Sequence, residues 1–185
     1  MLPFPPFSRV NWTYTEMSPS ILTQRVTHPL VQVADANGVT QSYTYGSGPE
    51  AGLLRSIQVP GGNLVTFTYL PGTVTSLLSS IEDWSGRFWT FQYDSSSFLT
   101  TFTTPLGCQT KYTYSLAGSG TTLLYSIQDP RGFVTTYMYD SAQRVVSMAA
   151  GSAVWTWTYD NANQRSVMTE PSGALTTYNY GVKRR

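Results

Sequence analysis

The sequence predicts an all-β protein: an array of about seven two-stranded hairpins forming a curved or spiralling antiparallel sheet. Three observations carry that expectation. One spacing recurs along the chain: an apolar residue, a glycine five positions later, an aromatic five after that, and a tyrosine two further on. The segment after each glycine alternates with the period of a strand. The composition favours strands and turns, with 14% aromatic residues, 11% charged, and roughly a quarter Ser and Thr.

The spacing is met in full at Val33, Gly38, Tyr43, Tyr45; at Ile57, Gly62, Phe67, Tyr69; and at Ile81, Gly86, Phe91, Tyr93. It returns at Phe102, Gly107, Tyr112, Tyr114; at Ile127, Gly132, Tyr137, Tyr139; and at Met168, Gly173, Tyr178, Tyr180. A further copy, from Met148 to Trp157 and Tyr159, is one residue shorter before its aromatic pair. Self-similarity at a fixed period is the mark of a repeat architecture. The repeat array is assigned to residues 30–181, between a proline-containing segment 1–29 that can lie across the first hairpin as a partial cap and a basic end at 182–185.

Each copy can be justified in turn. In "SIQDPRG" the chain runs apolar into Asp129-Pro130, where proline presets the first turn position and Gly132 accepts a positive φ. The following "FVTTYMYD" puts Tyr137 and Tyr139 on one face and Thr136 and Met138 on the other. Trp89, Phe91 and Tyr93 share a face in the same way, as do Trp155, Trp157 and Tyr159. Polar links such as "DSSSF", "DSAQR" and "DNANQR" lead to the next copy. About fourteen strands in one sheet would extend roughly 65 Å, and open twisted sheets seldom exceed about ten strands without curling. Equivalent tyrosines would lie two strands, roughly 10 Å, apart. Ile57, Ile81, Phe102, Ile127, Met148 and Met168 are the expected fillers between them.

These residues resemble the Rhs/YD-repeat family, which includes bacterial Rhs polymorphic toxins, the shell subunits of insecticidal toxin complexes, and teneurins. The resemblance rests on "IQDPRGFVTTYMYDSAQRVVSM", "IEDWSGRFWTFQYD" and "TWTYDNANQRSVMTEPSGALTTYNYG". Tyr-Asp itself stands at Tyr93-Asp94, Tyr139-Asp140 and Tyr159-Asp160, while Tyr45, Tyr69, Tyr114 and Tyr180 are followed by other residues. The resemblance implies a β strip wound into a hollow shell, or a cell-surface scaffold, in a secreted or cell-surface setting. The self-cleaving core segment that precedes the toxin in such shells is not found after Tyr180, so the chain is expected to be a non-catalytic fragment of a shell. Its expected partners are further YD-repeat segments or a second copy meeting it at a sheet edge, with a toxin cargo or a cell-surface glycan beyond these.

Other chemistries find little footing. A net charge of +1 offers no footprint for nucleic acid. No apolar run reaches the length of a membrane span, and "MLPFPPFSRV" lacks the pattern of a signal peptide. His28 is the single histidine and Cys108 the single cysteine, so no triad, disulfide or multi-cysteine metal site is expected, nor any cofactor. Glu82-Asp83 imitates a carboxylate pair, yet Asp83, Asp129 and Glu170 hold the same place in successive copies, where turn formation explains them. Asp140 with Arg144 and Asp160 with Arg165 are expected to pair across their loops. The aromatics admit two readings. A ladder repeated in every copy is what a core requires, while Trp155, Trp157 and Tyr159, with Trp84 and Trp89 as a second cluster, would also form a stacking platform for sugar rings.

Overall fold

A computed structural model describes residues 11–14, 29–71, 76–116 and 120–181. His28, most of the 1–29 segment and the basic 182–185 end lie outside them. The chain divides into two compact units, Met1–Phe91 and Gln92–Arg185. Each is an antiparallel sheet whose strand order is the chain order.

The first unit holds β1 (Asn11–Tyr14), β2 (Leu30–Ala34), β3 (Thr40–Tyr45), β4 (Leu54–Gln58), β5 (Leu64–Tyr69), β6 (Leu78–Glu82) and the greater part of β7 (Phe88–Tyr93). One 3-10 turn, Gly48–Glu50, interrupts it. Of the proposed N-terminal cap, Asn11–Tyr14 pairs with β2 as an ordinary antiparallel strand. The second unit holds β8 (Leu99–Thr103), β9 (Gln109–Leu116), β10 (Thr122–Gln128), β11 (Val134–Tyr139), β12 (Val145–Ala150), β13 (Ala153–Asp160), β14 (Arg165–Thr169) and β15 (Leu175–Asn179).

The expected turns are present. At Asp129, the amide donates to the Phe133 carbonyl and the Gly132 amide returns to the Asp129 carbonyl, each at 2.9 Å. Gly132 has φ +89°, closing a three-residue loop that ends in a left-handed residue. Gly38, Gly62, Gly86, Gly107 and Gly173 repeat that positive φ. The shorter copy uses a two-residue turn instead, with Ala150 paired to Ala153 and Gly151 at φ +60°. The linking turns, legible in the sequence only as polar segments, prove to be the same device without glycine: Ser97 and Gln143 hold φ +70° and +64°.

Register places the fillers. Ile57 lies opposite Tyr43, Ile81 opposite Phe67 and Trp89, and Met148 opposite Tyr137 and Trp155. Each therefore lies beside the first aromatic of the preceding pair, with Val65, Trp89 or Trp155 on its other side. The repeat tyrosines face a different residue: Tyr45, Tyr69, Tyr114 and Tyr139 sit opposite Leu54, Leu78, Leu124 and Val145. The ladder slips at each of these pairs, so one extra residue opposes the tyrosine as in a β-bulge.

Among the described residues no hydrophobic side chain is buried. The buried residues are Asp83, Ser126 and Ser166. In each unit the strands meet their sequence neighbours edge to edge. Aromatic side chains are therefore covered from the sides by Ile, Leu and Met and left open above.

Candidate functional site

The open aromatic face is the surface that could recognise something. On β13, Trp155, Trp157 and Tyr159 alternate onto one face, and all three are half-buried. Met148 and Tyr137 continue the row from Trp155, while Met168 and Thr176 continue it from Trp157. Trp89 is half-buried with Arg87 stacked 5.9 Å from its ring, and Trp84 stands at the tip of the Asp83 turn, 55% exposed.

The repeat tyrosines perform a task that spacing alone did not reveal. Tyr45, Tyr69, Tyr114 and Tyr139 donate their hydroxyls to the carbonyls of Leu30, Leu54, Leu99 and Leu124, at 2.7 to 2.9 Å. Each bond runs fifteen residues back, to the first residue of the preceding strand, or to the third at Leu124, and fastens the end of the hairpin opposite its turn. In the shorter copy Tyr159 reaches fourteen residues back, to the Val145 carbonyl at 2.6 Å. Tyr180 departs from the rule and bonds the Ser166 hydroxyl. Burial pushes Tyr45, Tyr69, Tyr93, Tyr114, Tyr139 and Tyr159 above the usual phenol range. A leucine or valine at this fixed distance before the tyrosine was the available signal.

Aspartates organise both kinds of turn. Asp140 accepts the amides of Ala142 and Arg144, each at 2.9 Å, and pairs with the Arg144 guanidinium. The Arg144 backbone N–H, then its side chain, hold the Asp140 carboxyl below the usual range. Asp83 bonds Arg87 and Ser85 and is held well below that range, by the Arg87 side chain above all. Asp129 is pushed up by burial but ends low through Arg131 and the Phe133 amide. Thus the Asp of Tyr-Asp is a turn cap, and the expected pairs Asp140 with Arg144 and Asp160 with Arg165 form, at 2.7 and 3.6 Å. Cys108 is exposed in a turn, its amide bonded to the Thr104 hydroxyl. Among the described residues no group of His, Cys, Asp or Glu is arranged to hold a metal ion, and no helix is long and apolar enough to cross a membrane.

Comparison with known proteins agrees with this geometry. Residues 139–175 match the RHS Repeat family model. Among curated proteins nothing matches. The fold is similar to one in the TcdB2-TccC3-Cdc42 crystal structure, with TM-score 0.55 and 17% identity over 81% of this chain. It is similar also to TcdB2-TccC3-TEV, with TM-score 0.54 and 16% identity over 82%. The chain spans 9% of the length of each of those chains. The stretch that matches the RHS Repeat model lies in the second unit, and the same kind of hairpin recurs within each unit.

Proposed function

We propose that the chain is an architectural segment of an Rhs-type shell or cell-surface scaffold, a fragment without catalysis of its own. The observation that carries this reading is the absence of a buried hydrophobic core among the described residues, in sheets where Tyr45, Tyr69, Tyr114, Tyr139 and Tyr159 each fasten a hairpin. A sheet of this kind gains its packing from neighbouring hairpins, as repeat arrays do. Its partners on this reading are further YD-repeat strands or a second copy at the sheet edge. Enclosure of a toxin cargo belongs to the larger assembly. Substituting residues 30–181 for an equal number of hairpins in an Rhs shell protein should leave a closed shell under electron microscopy. A shell that no longer forms, while the substituted segment remains folded, would overturn the reading.

The open aromatic face favours a second reading, a carbohydrate-binding or adhesive module. Here Trp155, Trp157 and Tyr159, with Trp84 and Trp89, form the stacking platform. Saturable binding of a neutral glycan, lost in Trp157→Ala, would support it.

A further inference from the structure

Among the described residues β15 pairs with β14 alone, so backbone donors and acceptors stand open along its outer side. The side chains there mark what is missing. In the six earlier copies both aromatics of the pair are half-buried. In the last, Tyr178 and Tyr180 are 44% and 59% exposed.

Register in the earlier copies shows what supplies the cover. Where β4 follows β3, Leu54 lies opposite Tyr45 and Ile57 opposite Tyr43, and between them the Ser56 and Thr44 hydroxyls share a hydrogen bond of 2.6 Å. The covering segment reads Leu-Arg-Ser-Ile. The same register returns in β6, β10 and β12, as Leu-Ser-Ser-Ile, Leu-Tyr-Ser-Ile and Val-Val-Ser-Met. Tyr178, Asn179 and Tyr180 occupy in the last copy the places of Tyr43, Thr44 and Tyr45.

We propose that the outer side of β15 accepts an antiparallel strand from a partner polypeptide, and that this strand reads leucine or valine, any residue, serine, then isoleucine or methionine. Its first aliphatic residue covers Tyr180 and its last covers Tyr178. Its serine meets the Asn179 side chain, and its backbone extends the ladder by strand addition. A second copy of this chain is the poorer occupant. Leu175 pairs with Thr169 as Thr177 pairs with Val167, so alternation sets Leu175 on the face away from Tyr178. A second β15 therefore offers Thr176 and tyrosine rings to the aromatic face, and no aliphatic side chain. The inference rests on the architectural reading above and narrows its partner to one strand pattern.

Fluorescence anisotropy of the intact chain with a labelled peptide GLLRSIQV, copied from residues 52–59, tests it. The peptide should bind saturably, and hydrogen exchange should slow at the β15 amides when it is bound. The same peptide carrying Leu54→Asn, or the reversed sequence VQISRLLG, should bind about tenfold more weakly or worse, the effect of losing one covered leucine. In the chain, Tyr180→Ala should weaken binding similarly, while Phe133→Ser, at an exposed ring in a different turn, should change it by less than about twofold. The altered peptides leave the protein untouched, so they decide the question whether or not Tyr180→Ala folds. No saturable binding, equal binding of the three peptides, protection confined to strands other than β15, or a chain that self-associates and ignores the peptide would each overturn the proposal. A chain that binds the peptide and yet fails to close a shell would strike the architectural reading alone; a closed shell built with a chain indifferent to the peptide would strike this inference alone.

Discussion

The Tyr139 hydroxyl donates to the Leu124 carbonyl across 2.7 Å, joining the end of β11 to the third residue of β10. This bond closes the hairpin where no turn does. Tyr139→Phe keeps the ring and removes the donor, so it should cost about 0.5–1.5 kcal/mol, the net worth of one hydrogen bond. Tyr125→Phe, at a side chain 44% exposed, should change stability by less than about 0.5 kcal/mol. Urea unfolding of the two variants checks this; equal stabilities would dismiss the clasp.

The turns invite opposite substitutions. Gly132→Val forces a β-branched side chain to φ +89° and should cost about 1–3 kcal/mol. Gln143→Gly relieves a left-handed residue at φ +64° and should gain up to about 1 kcal/mol. Ala142, exposed in the same linking turn, should tolerate Ser with little change. Melting temperatures that fall in both Gly132→Val and Gln143→Gly would contradict the turn geometry.

Acid should loosen the turns. Asp83, Asp129, Asp140 and Asp160 have carboxyls lowered in the folded protein. Their contribution is fully present above the ordinary carboxylate value of about 3.9 and is lost as pH falls through the folded values. Melting temperature should therefore decline below about pH 4. Asp83→Asn should flatten the low end of the curve, since Asp83 is held lowest.

Alkali should loosen the clasps. The hydroxyls of Tyr45, Tyr69, Tyr114, Tyr139 and Tyr159 are raised, chiefly by burial. Stability from a raised group is whole below its unfolded value, about 10 for a phenol, and is lost as pH rises through the folded value. Phenolate absorbance should accordingly appear late and together with loss of sheet circular dichroism. Full ionisation at the free-tyrosine value with the sheet intact would remove these hydroxyls from the account.

The edge strand β15 pairs with β14 on one side, and its Leu175 and Tyr178 are 68% and 44% exposed. Such an edge is a template for another strand. The isolated chain should self-associate with rising concentration, and truncation before Tyr178 should alter that behaviour. Light scattering coupled to gel filtration reads it directly: a monomer throughout, indifferent to the truncation, would dismiss edge pairing.

Strand order, hairpin turns and the shared face of Trp155, Trp157 and Tyr159 were legible in the sequence, because period-two alternation and Asp-Pro-x-Gly chemistry act over a few residues. The interval that sets Tyr139 above Leu124 was equally visible, but its meaning was not, since a hydroxyl fifteen residues from a carbonyl acquires a partner only when register brings them together. Tertiary structure also decided which residue separates which aromatic. The bulge opposite Tyr139 shifts the ladder by one residue, putting Val145 there and Met148 beside Tyr137, where spacing alone allowed Met148 between the repeat tyrosines. Ser97 and Gln143 gave no sequence sign of their left-handed backbone, because it is the surrounding strand pairing that compels it. The aromatic ladder read as a core for a similar reason. Composition shows how much apolar surface exists, and only the strand layout shows that in each unit its flanks are covered while its face stays open.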